Sequence, residues 1–181
     1  MKAKLWSKGW RLLFLLVLSW GFSLSPQASQ AAPKTYVDPH GFFSFTPPPG
    51  WTEKDYPGAS VGRVRFTAPD RQATMSIIVM PAPPQEATFD KLLAAKQAVV
   101  AKMRQEKPQG KFTLQEDKIC QFRCVRLDTV FPGHLVMENY LLVEQGLSVS
   151  LGYTAKNREN LDKYRQTALS SFCTIKLKGK Q

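Results

Sequence analysis

Leu147-Ser148-Val149-Ser150-Leu151-Gly152-Tyr153 alternates large apolar side chains with small ones. A period of two is the mark of a strand with one buried face. Just before it, Glu144-Gln145-Gly146 reads as a tight connection and Leu135 to Val143 as a second strand, so the two runs predict a hairpin. Farther upstream, Pro132-Gly133 marks a turn after Cys124 to Phe131, and Phe112 and Leu114 alternate with polar residues from Lys111. Short turns between consecutive runs predict antiparallel pairing, which excludes a doubly wound nucleotide fold.

The flanks change period. From Thr88 to about Glu106, Leu92, Ala95, Val99 and Met103 recur at three and four, with Thr88 as N-cap and Pro108-Gln109-Gly110 as terminator. Its outward positions carry Lys91, Lys96, Lys102 and Arg104. Asn157 to Ser171 reads as a second helix, with Leu161, Tyr164 and Ala168 on one face, and Phe172 to Leu177 as a final strand. Before the first helix, Thr35 to Val37, Phe42 to Thr46, Val64 to Thr67 and Met75 to Met80 are β-prone. Proline and glycine separate them, at Asp38-Pro39-His40-Gly41, Pro47-Pro48-Pro49-Gly50, Ala68-Pro69-Asp70 and Pro81 to Pro84. The order predicts an α+β domain.

At 181 residues with 43% apolar side chains, the chain is too apolar for disorder and suits one domain with a short appendage. Three cysteines are too few for a disulfide-built miniprotein. The appendage reads as residues 1–31. Lys2, Lys4, Lys8 and Arg11 form a positive start, Leu12 to Leu18 an apolar run, and Ser29-Gln30-Ala31 a cleavage site with small residues at its outer positions. The mostly apolar stretch Trp10 to Leu24 falls short of the ~20 residues that span a bilayer. Absence of an Arg-Arg pair and of a cysteine after the apolar run favours the general secretory route over twin-arginine export or lipid anchoring. We therefore expect a periplasmic or secreted product comprising a single domain, 32–181. That product keeps 21 basic and 14 acidic residues, a net charge of +7. Outside the cytoplasm such a charge excludes nucleic acid as the expected partner and leaves room for peripheral contact with an anionic membrane surface.

Catalytic patterns are not found. His40 and His134 each sit in a turn beside proline and glycine, and neither belongs to a spacing that sets two ligands on one helix face. Asp38 with His40 supplies two donors for a divalent ion, which leaves a site incomplete. Glu116 and Asp117 are neighbours on a strand and point to opposite faces, which suits a solvated turn better than an acid/base pair. Trp51 and the Phe42-Phe43 pair fit core or rim positions better than a cleft. We expect no enzyme activity, no metal and no cofactor.

Tyr36-Val37-Asp38, Gly41-Phe42 and Pro49-Gly50-Trp51 together resemble the opening of the PsbP/DcrB-like superfamily. Tyr140-Leu141-Leu142, Gly146-Leu147 and Leu151-Gly152-Tyr153-Thr154-Ala155 resemble its central hairpin, and Tyr164 with Ser171-Phe172 its last helix and strand. The resemblance implies an α/β/α sandwich around an antiparallel sheet. It also implies a non-enzymatic extracytoplasmic protein that attaches to a larger assembly, the best known member being an extrinsic subunit of photosystem II. An unknown protein partner in the cell envelope is the expectation, with a carrier of a small hydrophobic ligand or lipid as the alternative. On one uninterrupted strand Cys120 and Cys124 would lie ~13 Å apart, too far to bridge. The resemblance instead implies a turn at Gln121-Phe122-Arg123, which sets Cys120 and Cys124 face to face as a disulfide and leaves Cys173 a buried free thiol. Three reduced, packed cysteines are the alternative.

Overall fold

The computed structural model describes residues 34–54, 61–133 and 135–178; the expected leader, its cleavage site and His134 lie outside them. Two short strands come first, β1 (Tyr36–Val37) and β2 (Phe43–Phe45). The turn between them takes φ +76° at Gly41, a value that favours glycine. Three more strands follow, β3 (Thr52–Lys54), β4 (Gly62–Thr67) and β5 (Ala73–Pro81). Helix α1 (Phe89–Glu106) begins where Thr88 accepts the Lys91 N–H, the cap its sequence promised. The meander is β6 (Lys111–Ile119), β7 (Phe122–Val130), β8 (Val136–Glu144) and β9 (Leu147–Ala155). Helix α2 (Arg158–Phe172), capped by Asn157, and β10 (Lys176–Leu177) complete the described chain.

Strands β3 to β9 form one sheet in the order β3-β4-β5-β9-β8-β7-β6, antiparallel throughout, and β1-β2-β10 form a second. Gln145 and Gly146 both have positive φ, the pattern of a two-residue turn whose twist matches its strands, so Glu144 lands opposite Leu147. Alternation then sorts the large sheet into two faces. Val64, Met75, Ile77, Leu142, Leu151 and Tyr153 share one face, where Leu161, Ala168 and Phe172 of α2 and Phe43 and Phe45 of β2 close over them. On the other, α1 lies along β6, β7 and β8, and Val100 seats on Phe112 and Leu127. The two helices thus flank the sheet from opposite sides, and the α+β sandwich expected from the sequence is the fold observed.

Three elements differ from the sequence reading. Strand β3 was not expected, because Thr52, Glu53 and Lys54 are all exposed and carry no apolar alternation. Phe172 ends α2 instead of opening a strand: with Leu161 and Ala168 it continues a helical stripe, and its ring is fully buried. The third concerns the cysteines.

The β6–β7 turn is Cys120-Gln121, with Ile119 opposite Phe122 and Cys120 at φ +56°. Cys124 therefore faces Asp117, and Cys120 is bonded to Cys173 across 5.4 Å between Cα atoms. The expected Cys120–Cys124 bridge is wrong, and so is the buried free Cys173: Cys173 is exposed and Cys124 is the buried thiol. The physical reason is register. The observed pairing puts Leu114 opposite Leu127 beneath α1. A turn at Gln121-Phe122-Arg123 would set Leu114 against Val130, which faces away from α1, and Phe112 against Pro132, which has no N–H to give.

Candidate interaction surface

On the face that α2 covers, Glu138 occupies an inward position between Val136 and Tyr140 and is 2% exposed. A carboxylate there demands partners. Arg165 Nε donates to both its oxygens, at 3.0 and 2.9 Å, and Arg126 Nη2 donates to Oε1 at 3.0 Å. Tyr140 donates its hydroxyl to Oε2 at 3.1 Å. Arg126 also donates to Asp128 Oδ1 at 2.8 Å and lies 3.7 Å from Asp117. Burial, and then the charge on Glu138, push the Tyr140 phenol up to about 12. Burial opposes the charge on Arg126. The Asp128 hydrogen bond and the charges of its neighbours still hold the guanidinium above its ordinary value. Through these hydrogen bonds the cluster ties α2, by way of Arg165, to β7 and β8 of the sheet. Sequence reasoning missed it, although a charge at an apolar register position was a readable signal.

The residues singled out from sequence are dispersed. The β1–β2 turn buries Asp38, whose Oδ2 accepts the Phe42 N–H, and leaves His40 exposed, so the two build no common site. Glu116 pairs with Arg123 at 2.8 Å while Asp117, on the opposite face, approaches Arg126. Trp51 and Phe43 are buried, Trp51 edge-on to Tyr164 at 5.8 Å between ring centroids, as their core reading required. Burial, with Asp117 second, raises the Cys124 thiol to about 11.

One exposed carboxylate is well held. Asp70, in the β4–β5 turn, accepts from Tyr164 Oη at 2.7 Å, from the Gln72 N–H at 3.0 Å and from Lys163 Nζ at 3.0 Å. These donors, Tyr164 first, lower its pKa from 3.8 to about 2. A depressed carboxyl stabilises the fold above the unfolded value and ceases to do so as pH falls through the folded one. Asp70→Asn should therefore lower the urea midpoint at pH 6 and leave it unchanged near pH 1.5. A midpoint shift of equal size at both pH values would refute this role.

Among the described residues, the other face is only half covered. Beyond α1, it presents Ser76 of β5, Gly152 of β9 and Asn139 of β8. A Cβ on Gly152 would stand 2.7 Å from Ser76 Oγ and 3.0 Å from Asn139 Oδ1, so this floor is packed level. Thr74, Ser150 and Thr154 extend it, and Arg63, Arg65 and Lys54 stand on the same face of β4 and β3, each position of β4, β5 and β9 here being partly exposed or, at Gly152, flush. Separately, an open, mostly polar groove of about 380 Å³ runs beside the disulfide, bounded by Thr35, Ser44, Thr46, Gln121, Thr174 and Lys176 together with Phe45 and Ile175. Among described residues the exposed large apolar side chains, Val37, Val99 and Leu135, are scattered.

No protein-family model matches the chain, and no curated protein matches its sequence. Solved structures do. A protein from Bacteroides thetaiotaomicron aligns with TM-score 0.54 and 14% identity over 83% of this chain, which spans 50% of that longer one. The cyanobacterial PsbP (CyanoP) of Synechocystis sp. PCC 6803 aligns with TM-score 0.54 and 14% identity, over 80% of this chain and 92% of its own. A mutant of the protein Mog1 aligns with TM-score 0.50 and 11% identity, over 83% and 98%. At such identities likeness is a statement about backbone. Two helices on a large antiparallel sheet, with this backbone likeness to CyanoP, make this a PsbP-like α+β fold.

Proposed function

We propose that the chain is an exported, non-enzymatic protein of the cell envelope that works by binding another protein, as an interaction or assembly factor. The observation that carries this reading is the contrast between its two apolar layers, packed from its own side chains, and the mostly polar half-sheet that α1 leaves uncovered among the described residues. A carrier of lipid or another hydrophobic ligand would need an apolar cavity, whereas the groove beside the disulfide is mostly polar and open. Export is supported by the leader-like residues 1–31 and by the exposed Cys120–Cys173 bond, which persists in oxidising compartments. The PsbP-like fold supports attachment to a larger assembly. N-terminal sequencing of the product is expected to begin at Ala32, and pull-down from native envelope followed by mass spectrometry to return a stoichiometric protein. An intact Met1 on a cytoplasmic product would overturn export, and a co-purifying lipid without protein would favour the carrier.

A further inference from the structure

We propose that the uncovered half of the large sheet docks an acidic segment of a protein partner. The inference deepens the interaction reading above and rests on it. It starts from register. Lys54 sits opposite Arg65, and Arg63 lies two positions along on the same face. On β3, β4, β5 and β9 that face holds no Asp or Glu at any position. Of the meander's carboxylates, Asp117, Asp128 and Glu138 point to the opposite face, where Arg126 and Arg165 engage them, and Glu116, on the half that α1 covers, is paired with Arg123. Arg63 and Arg65 also make contacts within the chain, and Glu86, outside the strands, reaches Ser148 at the far end of β9 while pairing with Lys96; what singles out the face is that its own strand positions carry cations and no carboxylate.

Chemistry narrows the occupant. The Ser76 hydroxyl lies opposite Arg65, Thr74, Ser150 and Thr154 carry hydroxyls onward across β5 and β9, and hydroxyls together with guanidinium groups are the donors that carboxylates accept from. The level floor at Gly152 lets an extended chain come close to the sheet. A membrane surface fits less well, because interfacial binding joins charge to inserted apolar side chains. On this face Ile78, opposite Arg63, and Met80 are half-buried among polar neighbours, and the more exposed apolar residues of the strand regions, Val37 and Leu135, lie elsewhere. Val37 belongs to the second sheet, and Leu135 precedes β8 on the half that α1 covers.

The test is a titration of the purified, isotope-labelled protein with a synthetic peptide of alternating glutamate and serine. Amide shifts are expected to centre on Arg65, Ser76 and Gly152, with affinity falling as salt rises. Arg63→Glu with Arg65→Glu should weaken binding roughly tenfold, while Lys176→Glu with Lys178→Glu changes it less than about twofold. Both variants should keep the wild-type thermal midpoint, which separates loss of binding from loss of fold. Shifts centred on the terminal lysines, or equal losses in both variants, would overturn the proposal. So would Arg63- and Arg65-dependent binding to phosphatidylserine vesicles without binding to the peptide, or self-association through this face. If the envelope partner still binds the Arg63/Arg65 variant, the surface fails while the interaction reading stands. If no partner is captured but the peptide titrates as expected, the reverse holds.

Discussion

Replacing Glu138 with leucine will lower the stability of the protein by about 3–5 kcal/mol, because it leaves two guanidinium groups facing a site built for a carboxylate. The loss should fall nearer 3, since Arg165 keeps 36% of its side chain in water, against 18% for Arg126. Glu138→Gln preserves shape and some hydrogen bonding, so its cost should be smaller. The decisive variant is triple: Glu138→Leu with Arg126→Met and Arg165→Met removes the charges together and should recover most of the loss. Urea denaturation at neutral pH reads all three. A single-leucine variant within about 1 kcal/mol of wild type would show that water reaches the cluster and that it does not tie α2 to the sheet.

The second large effect belongs to the disulfide. Cys120 and Cys173 are 53 residues apart, and closing a loop of that length in the unfolded chain is worth about 4 kcal/mol in the chain-entropy account. Cys120→Ala with Cys173→Ala, or reduction, should lower the melting temperature by roughly 8–16 °C for a domain of this size. Cys124 provides the internal control. Buried, and with its thiol raised to about 11, it should resist alkylation until the protein unfolds. Non-reducing peptide mapping should yield one crosslinked pair, Cys120 with Cys173. A Cys120–Cys124 peptide would mean that the β6–β7 turn is shifted from where the structure has it.

Much of the fold was legible because local signals agreed with it. Ser148, Ser150 and Gly152 between apolar residues fixed β9, Gln145-Gly146 fixed its turn, and Thr88 marked the start of α1 to the residue. What escaped is non-local. β3 is three exposed residues whose only reason to be a strand is β4 beside it. The partner of Cys120 depends on where the end of α2 comes to rest, which no spacing around Cys120 encodes. The uncovered half-sheet is equally invisible in sequence, since its Ser and Thr positions read as the outward side of ordinary strands until α1 is seen to lie along β6 to β8.

The pairing of β5 with β9 sets the order in which the chain can assemble. Ala73 lies beside Ala155 and Pro81 beside Leu147, so that seam joins residues 66 to 82 positions apart, whereas β8 and β9 are two residues apart. The meander and the β4–β5 ribbon can each form from neighbours in sequence, and the seam must wait for both. Until it closes, each half presents a nine-residue edge rich in Ile77, Ile78, Val79, Val149 and Leu151, and those two edges match each other in any copy of the chain. The hazard of misassembly is therefore exchange between molecules along this one line: β5 of one chain taking up β9 of another before its own arrives.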